Sequence, residues 1–141
     1  MKITELPFNK LIGLHESIED GYILTLANDV KFTNHLGTVH ASALFSLAEA
    51  TSGKFLLLNF PKHSEGLIPV VRKVEVKYKK PAFGQINSVA VIVDDTIDNI
   101  DEQMTTRNRA IIKLKVDLFD SNQLNVMTAD FEWFISKSNN T

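Results

Sequence analysis

The sequence predicts an α+β fold: one long buried helix packed against a curled antiparallel sheet of about six strands. Two observations carry that expectation. Residues 38–59 are mostly Ala, Leu, Phe, Ser and Gly, so a helix there has no polar side and must be buried. The remainder reads as alternating strands separated by short turns, and short links between consecutive strands favour antiparallel pairing. A sheet covers only one side of such a helix. A second copy of the subunit, related by a two-fold axis, is the economical cover for the other side.

The elements follow in order. Residues 1–13 are a lead-in, interrupted by Pro7 and closed by Gly13, with Phe8, Leu11 and Ile12 able to form one apolar turn of helix. Residues 14–19 and 22–27 read as two strands joined at Asp20-Gly21, a hairpin signal. Residues 28–38 form a polar loop in which Thr38 or a neighbour caps the helix. The helix ends near Asn59 because Pro61 cannot continue it. Residues 60–69 connect to a strand over 70–78. There Val74, Val76 and Tyr78 share one face and Lys73, Glu75 and Lys77 the other, with Arg72 out of step. Pro81 and Gly84 turn the chain into a strand over 85–93. The acidic run 94–102 reads as a solvated loop. Strands over 105–119 and 124–135 close the chain around a turn at Asp120-Ser121-Asn122, and a polar tail frays from Ser136. No repeat or second domain is visible, so 141 residues make one domain.

Composition narrows the function classes. A net charge of −2 makes no case for nucleic-acid binding. The absence of cysteine removes disulfides, thiol nucleophiles and Cys-ligated metals. His15, His35, His40 and His63 are scattered without metal-ligand spacing, so no metal or cofactor is expected. No apolar leader opens the chain and no run is long enough to span a membrane, which reads as a cytoplasmic protein without a membrane partner.

The chemistry concentrates between Asn34 and Glu49. Asn34 is followed by Gly37, then His40, then Leu47-Ala48-Glu49, with Glu49 nine positions past the histidine. With Leu11-Ile12-Gly13 and Pro81-Ala82-Phe83-Gly84, this pattern resembles the hotdog-fold thioesterases over roughly residues 7–135. It is most similar to the phenylacetate-type acyl-CoA thioesterases and related hotdog domains. The family's His-Gly-Gly stands here as His40-Ala41-Ser42, and its usual Asp as Glu49. The resemblance implies a hotdog fold, a homodimer or homotetramer, and a coenzyme A thioester as substrate. It also implies Glu49 as base or nucleophile, Asn34 as positioner of water or carbonyl, and His40 with the Ala41 backbone amide polarising the thioester. Gly37 belongs to the same implied substrate-binding loop. Two rivals remain: a hotdog acyl dehydratase or hydratase, and an acyl-ligand-binding domain without turnover.

The spacing itself constrains the site. Nine helical positions separate His40 and Glu49 by roughly 14 Å along the axis and place them on opposite sides. They cannot meet one carbonyl within one chain, so a shared site needs a second subunit. Ser42, Ser46, Glu49 and Ser52 fall at three- and four-residue steps and form a polar stripe, which lines either a substrate pocket or solvent. Arg72 and Lys73, with Lys77, Lys79 and Lys80, form either a solvated face or a contact for coenzyme A phosphates. Trp133, with Phe131 and Phe134, reads as core or interface.

Overall fold

Helix α2 (Ala41–Asn59) is where the chain's apolar character is spent. Leu47, Ala48 and Leu56 are completely buried on it, and Leu44, Ala50 and Phe55 nearly so. Each such leucine contributes about 1.5–3 kcal/mol of burial. The helix starts later than expected. His40 is the N-cap, its Nδ1 accepting the Ser42 N–H at 2.9 Å, while Thr38 is buried against Asn34 instead. A computed structural model describes residues 1–138 of the chain.

Six antiparallel strands wrap this helix. They are β1 (His15–Glu16), β2 (Leu24–Leu26), β3 (Leu67–Tyr78), β4 (Ile86–Ile92), β5 (Arg109–Phe119) and β6 (Asn125–Lys137), in the spatial order β1-β2-β4-β5-β6-β3. The expected hairpin at Asp20-Gly21 is present with much shorter strands: only His15↔Thr25 and Glu16↔Leu24 pair. At the other end, Ser136 and Lys137 extend β6, so the tail predicted to fray from Ser136 is partly strand, and its residues 139–141 lie outside the described residues.

Alternation sorts the two faces of the sheet. Cross-strand rows Val71–Trp133–Ile112, Val74–Phe131–Leu114 and Val76–Ala129–Val116 point at α2. The rows Lys73–Glu132–Lys113 and Glu75–Asp130–Lys115 point away, with charge alternating across strands, which favours pairing. Arg72 is out of step because it is the extra residue of a β-bulge: Val71 pairs with Trp133 and Lys73 with Glu132. Strand β3 is an edge, and Ile68, Val70 and Tyr78 on it are about half exposed.

Two expectations fail. The acidic run is not a loop. It opens helix α3 (Ile97–Arg107), which buries Ile100 and Met104 against the core, so the next strand begins at Arg109 rather than near residue 105. The open side of α2 is also not left wholly to a second subunit. A 3-10 turn (Ile3–Glu5) and helix α1 (Pro7–Leu11) lie on it. Ile3 packs so closely that a Cβ on Gly53 would stand 3.3 Å from Ile3 Cδ1. The buried Asn9 Nδ2 donates to the Ile3 carbonyl at 3.0 Å and ties α1 to that turn.

Candidate functional site

The loop ahead of α2 is built by one side chain. Asn34 Oδ1 accepts the N–H groups of Leu36 (2.9 Å) and Thr38 (3.1 Å), and its Nδ2 donates to Thr38 Oγ1 (2.9 Å). Asn and Asp favour such turns because the side chain imitates backbone. Gly37 closes the turn at φ +77°, a conformation other residues resist. The amide of Asn34 is thus engaged within its own loop, which fixes where His40 stands.

His40 is exposed, and accepting at Nδ1 leaves the proton of its neutral ring on Nε2, an outward-facing donor. The next residue supplies a second donor. The Ser42, Ala43 and Leu44 N–H groups bond to His40, but among the described residues the Ala41 N–H has no acceptor. It lies at the positive end of the α2 dipole. Ala41 and Asn34 line a cleft of about 330 Å³ whose other wall includes Tyr78, Lys79 and Lys80, and the Tyr78 hydroxyl donates to the Ala41 carbonyl at 3.3 Å.

Glu49 faces a different cleft. It is half-buried, and among the described residues no hydrogen bond or ion pair reaches its carboxylate. Desolvation by burial raises its pKa above the ordinary 4.5. The cleft holds about 350 Å³ and is walled by Ile3, Leu6, Ala50, Leu57, Pro69 and Trp133. Trp133 is held there by its Nε1, which donates to Ser52 Oγ at 3.0 Å, while that hydroxyl donates to the Glu49 carbonyl at 2.7 Å.

The structure divides the sequence-predicted residues among several places. Asn34 and Ala41 share one cleft, with Gly37 in the same loop; His40, Ser42 and Ser46 line a neighbouring one beside Phe8, Ile12 and Phe32; Glu49 lies alone in the third. The polar stripe runs beneath the N-terminal segment as far as Glu49 and stops there. Ser52 turns into the core, fully buried and bonded to Trp133. Arg72 is exposed on the bulge. Lys73 points away from α2, on the far side of the sheet among Glu75, Asp130 and Glu132. Two features of the Glu49 cleft lie outside the residues that the sequence marks as its site. Trp133 carried a signal, the inward alternation of its strand. Residues 1–9 carried none, because nothing local says where a lead-in will lie.

A central helix wrapped by six curled antiparallel strands defines the class as a hotdog-fold domain of the thioesterase type. Within it, the chain belongs to the family described as Domain of unknown function (DUF4442), whose pattern matches residues 7–135. Solved structures show the same architecture. A protein of unknown function from Pseudomonas aeruginosa, described as a probable thioesterase, is 27% identical and superposes with a TM-score of 0.80 over 96% of this chain and 91% of its own. A hypothetical thioesterase from Streptococcus pneumoniae, solved with coenzyme A, is 21% identical with a TM-score of 0.63 over 89% and 88%. A Bacillus halodurans protein solved with CoA is 18% identical with a TM-score of 0.66 over 91% and 74%. The latter two speak for the fold alone. Curated protein sequences give no match. No helix among the described residues is long and apolar enough to cross a membrane.

Proposed function

We propose that the protein is an acyl-CoA thioester hydrolase acting as a homodimer, each site joining Glu49 of one subunit to His40 and the Ala41 amide of the other. The observation that carries this reading is Glu49: a partly buried carboxylate at an apolar cleft, without a partner among the described residues, with a pKa raised by desolvation. A carboxylate whose pKa is raised by burial is suited to base work. The name of the 27%-identical relative, a probable thioesterase, supports the same chemistry, and two relatives solved with coenzyme A share the fold.

In the proposed reaction, Glu49 takes a proton from water as the water oxygen bonds to the thioester carbon. The oxyanion accepts hydrogen bonds from the Ala41 N–H and His40 Nε2 of the partner subunit. Collapse breaks the C–S bond, and the proton on Glu49 passes to the thiolate, leaving a carboxylic acid and free coenzyme A. Asn34 is a positioning residue that shapes the loop bearing both donors. Lys79 and Lys80, beside Ala41, and Arg72 on the exposed bulge are the cations suited to phosphates. Lys73, behind the sheet, has no part in it.

A panel of acyl-CoA substrates with free-thiol detection tests the assignment. Hydrolysis by the native protein and its loss in Glu49→Gln are expected. A Glu49→Gln protein working at the native rate would refute the role of Glu49. The same panel with an enoyl thioester reads out the hydratase alternative, and saturable binding without turnover reads out the non-catalytic one.

A further inference from the structure

We infer that Ser52 and Trp133 are positioning residues for Glu49: the Ser52 hydroxyl ties the Trp133 indole to the turn of α2 that carries Glu49, and the indole so held keeps water from one side of the carboxylate. Only the use of that carboxylate as a base rests on the thioesterase reading. The tie itself is made of buried groups of one chain.

A serine hydroxyl has one proton to give and lone pairs to accept with. Within a helix it readily donates to a carbonyl three or four residues back. Ser52 spends its proton on the Glu49 carbonyl at 2.7 Å, and its oxygen accepts the Trp133 Nε1–H at 3.0 Å. Glu49, Ser52 and Trp133 are thus linked in series from α2 to β6. Ser52 is fully buried and Trp133 nearly so, which leaves water little access to either bond. Val71 and Ile112 flank the indole in its cross-strand row, and on its open side Trp133 lines the cleft it shares with Glu49. Without the Ser52 oxygen the indole N–H becomes a buried donor with no partner, a state that favours turning toward water. The cleft is where that water stands, so hydrating the indole hydrates Glu49 as well. Burial is what raises the Glu49 pKa, and admitting water should lower it. The neighbouring elements bring no competing side-chain charge to the cleft. Helix α1 contributes Asn9, β3 contributes Pro69 and β6 contributes Trp133. Among the described residues, the one other titratable group carried on the lining is the α-amino group of Met1, which is the same in every variant below.

The test follows the Glu49 carboxyl across pH by carbon NMR in glutamate-labelled protein, assigned with Glu49→Gln. It compares the native protein with Ser52→Ala, Ser52→Thr, Trp133→Phe and Met104→Ala. The chain has one tryptophan, so a single indole N–H signal reports the tie directly. That proton should exchange slowly in the native protein and about tenfold faster or more in Ser52→Ala. The Glu49 midpoint should fall toward 4.5 in Ser52→Ala and Trp133→Phe, and hold its native value in Ser52→Thr, which keeps the hydroxyl. Met104→Ala, which loosens the core at α3, should also leave it in place. Trp133→Phe carries the test if Ser52→Ala does not fold. In acyl-CoA hydrolysis the acid limb of kcat/KM should move down with the midpoint in Ser52→Ala while KM holds, because Ser52 does not line the cleft. A native midpoint in either Ser52→Ala or Trp133→Phe overturns the inference, and so does an equal fall in Ser52→Thr or Met104→Ala. Shifted midpoints in a protein that hydrolyses no acyl thioester keep the tie and overturn the hydrolase reading.

Discussion

At Ala41 the backbone donor can be deleted without disturbing the helix. Proline suits the first helical position, and His40 at φ −62°, ψ 138° already has the conformation a residue before proline prefers. Ala41→Pro should therefore lower kcat/KM about 10²–10³-fold with little change in Tm. An unchanged rate would mean that the Ala41 N–H is not an oxyanion donor. Glu49 gives a pH signature. Its folded-state pKa is raised, so the folded protein favours the protonated form. That contribution is fully present below the ordinary carboxyl pKa and is lost as pH rises through the folded value. Glu49→Gln should then melt higher than the native protein at neutral pH, the gap closing in acid. The acid limb of native kcat/KM should lie above pH 4.5. Asn34, Gly37, His40, Ala41 and Glu49 stand out as candidates in the sequence because the motif sits in register. The use of the Asn34 amide within its own loop does not, because a side chain's partners depend on the turn it makes.

Helix α3 shows how a true signal is overridden. Five acidic residues between Asp94 and Glu102 announce a solvated loop, yet Ile97, Ile100 and Met104 recur at helical spacing. Thr96 caps the start, its side chain accepting the Asn99 N–H at 3.1 Å, and Asn108 ends the helix in the left-handed region. Charge density hid an amphipathic period. Thr96→Ala should cost about 1 kcal/mol in urea unfolding, and Met104→Ala about 2–5 kcal/mol. If neither moves the midpoint, α3 is not part of the cooperative unit. The turn before β4 is legible from Pro81 and Gly84, and for a stronger reason than composition. Gly84 has φ +75°, and a Cβ there would lie 2.6 Å from Ser121 Oγ. Gly84→Ala should destabilise by about 1–3 kcal/mol. Part should be recovered in the double variant with Ser121→Ala, a non-additivity that chemical denaturation measures directly.

For the whole molecule, the proposed site, which joins Glu49 of one subunit to His40 and Ala41 of another, would make activity a property of the pair. Two inactive proteins, Glu49→Gln and Ala41→Pro, should rescue each other when unfolded and refolded together. Half the dimers would be mixed, each with one intact site, giving about a quarter of native activity. No rescue, or a monomer at assay concentration, would sink the shared site. The two-sided burial of α2 was legible from its composition, but what covers it was not: residues 1–11 supply part of the roof that pattern alone assigned to a partner. Arg72, finally, is a spare letter in the text of β3. Strike it out and Pro69, Val71, Val74 and Val76 fall into one unbroken in–out rhythm, every neighbour on β6 kept. Losing one residue from a strand ordinarily turns over all that follow. Here it would turn over none, and single-residue deletions along β3, ranked by Tm, should find position 72 the one the molecule can spare.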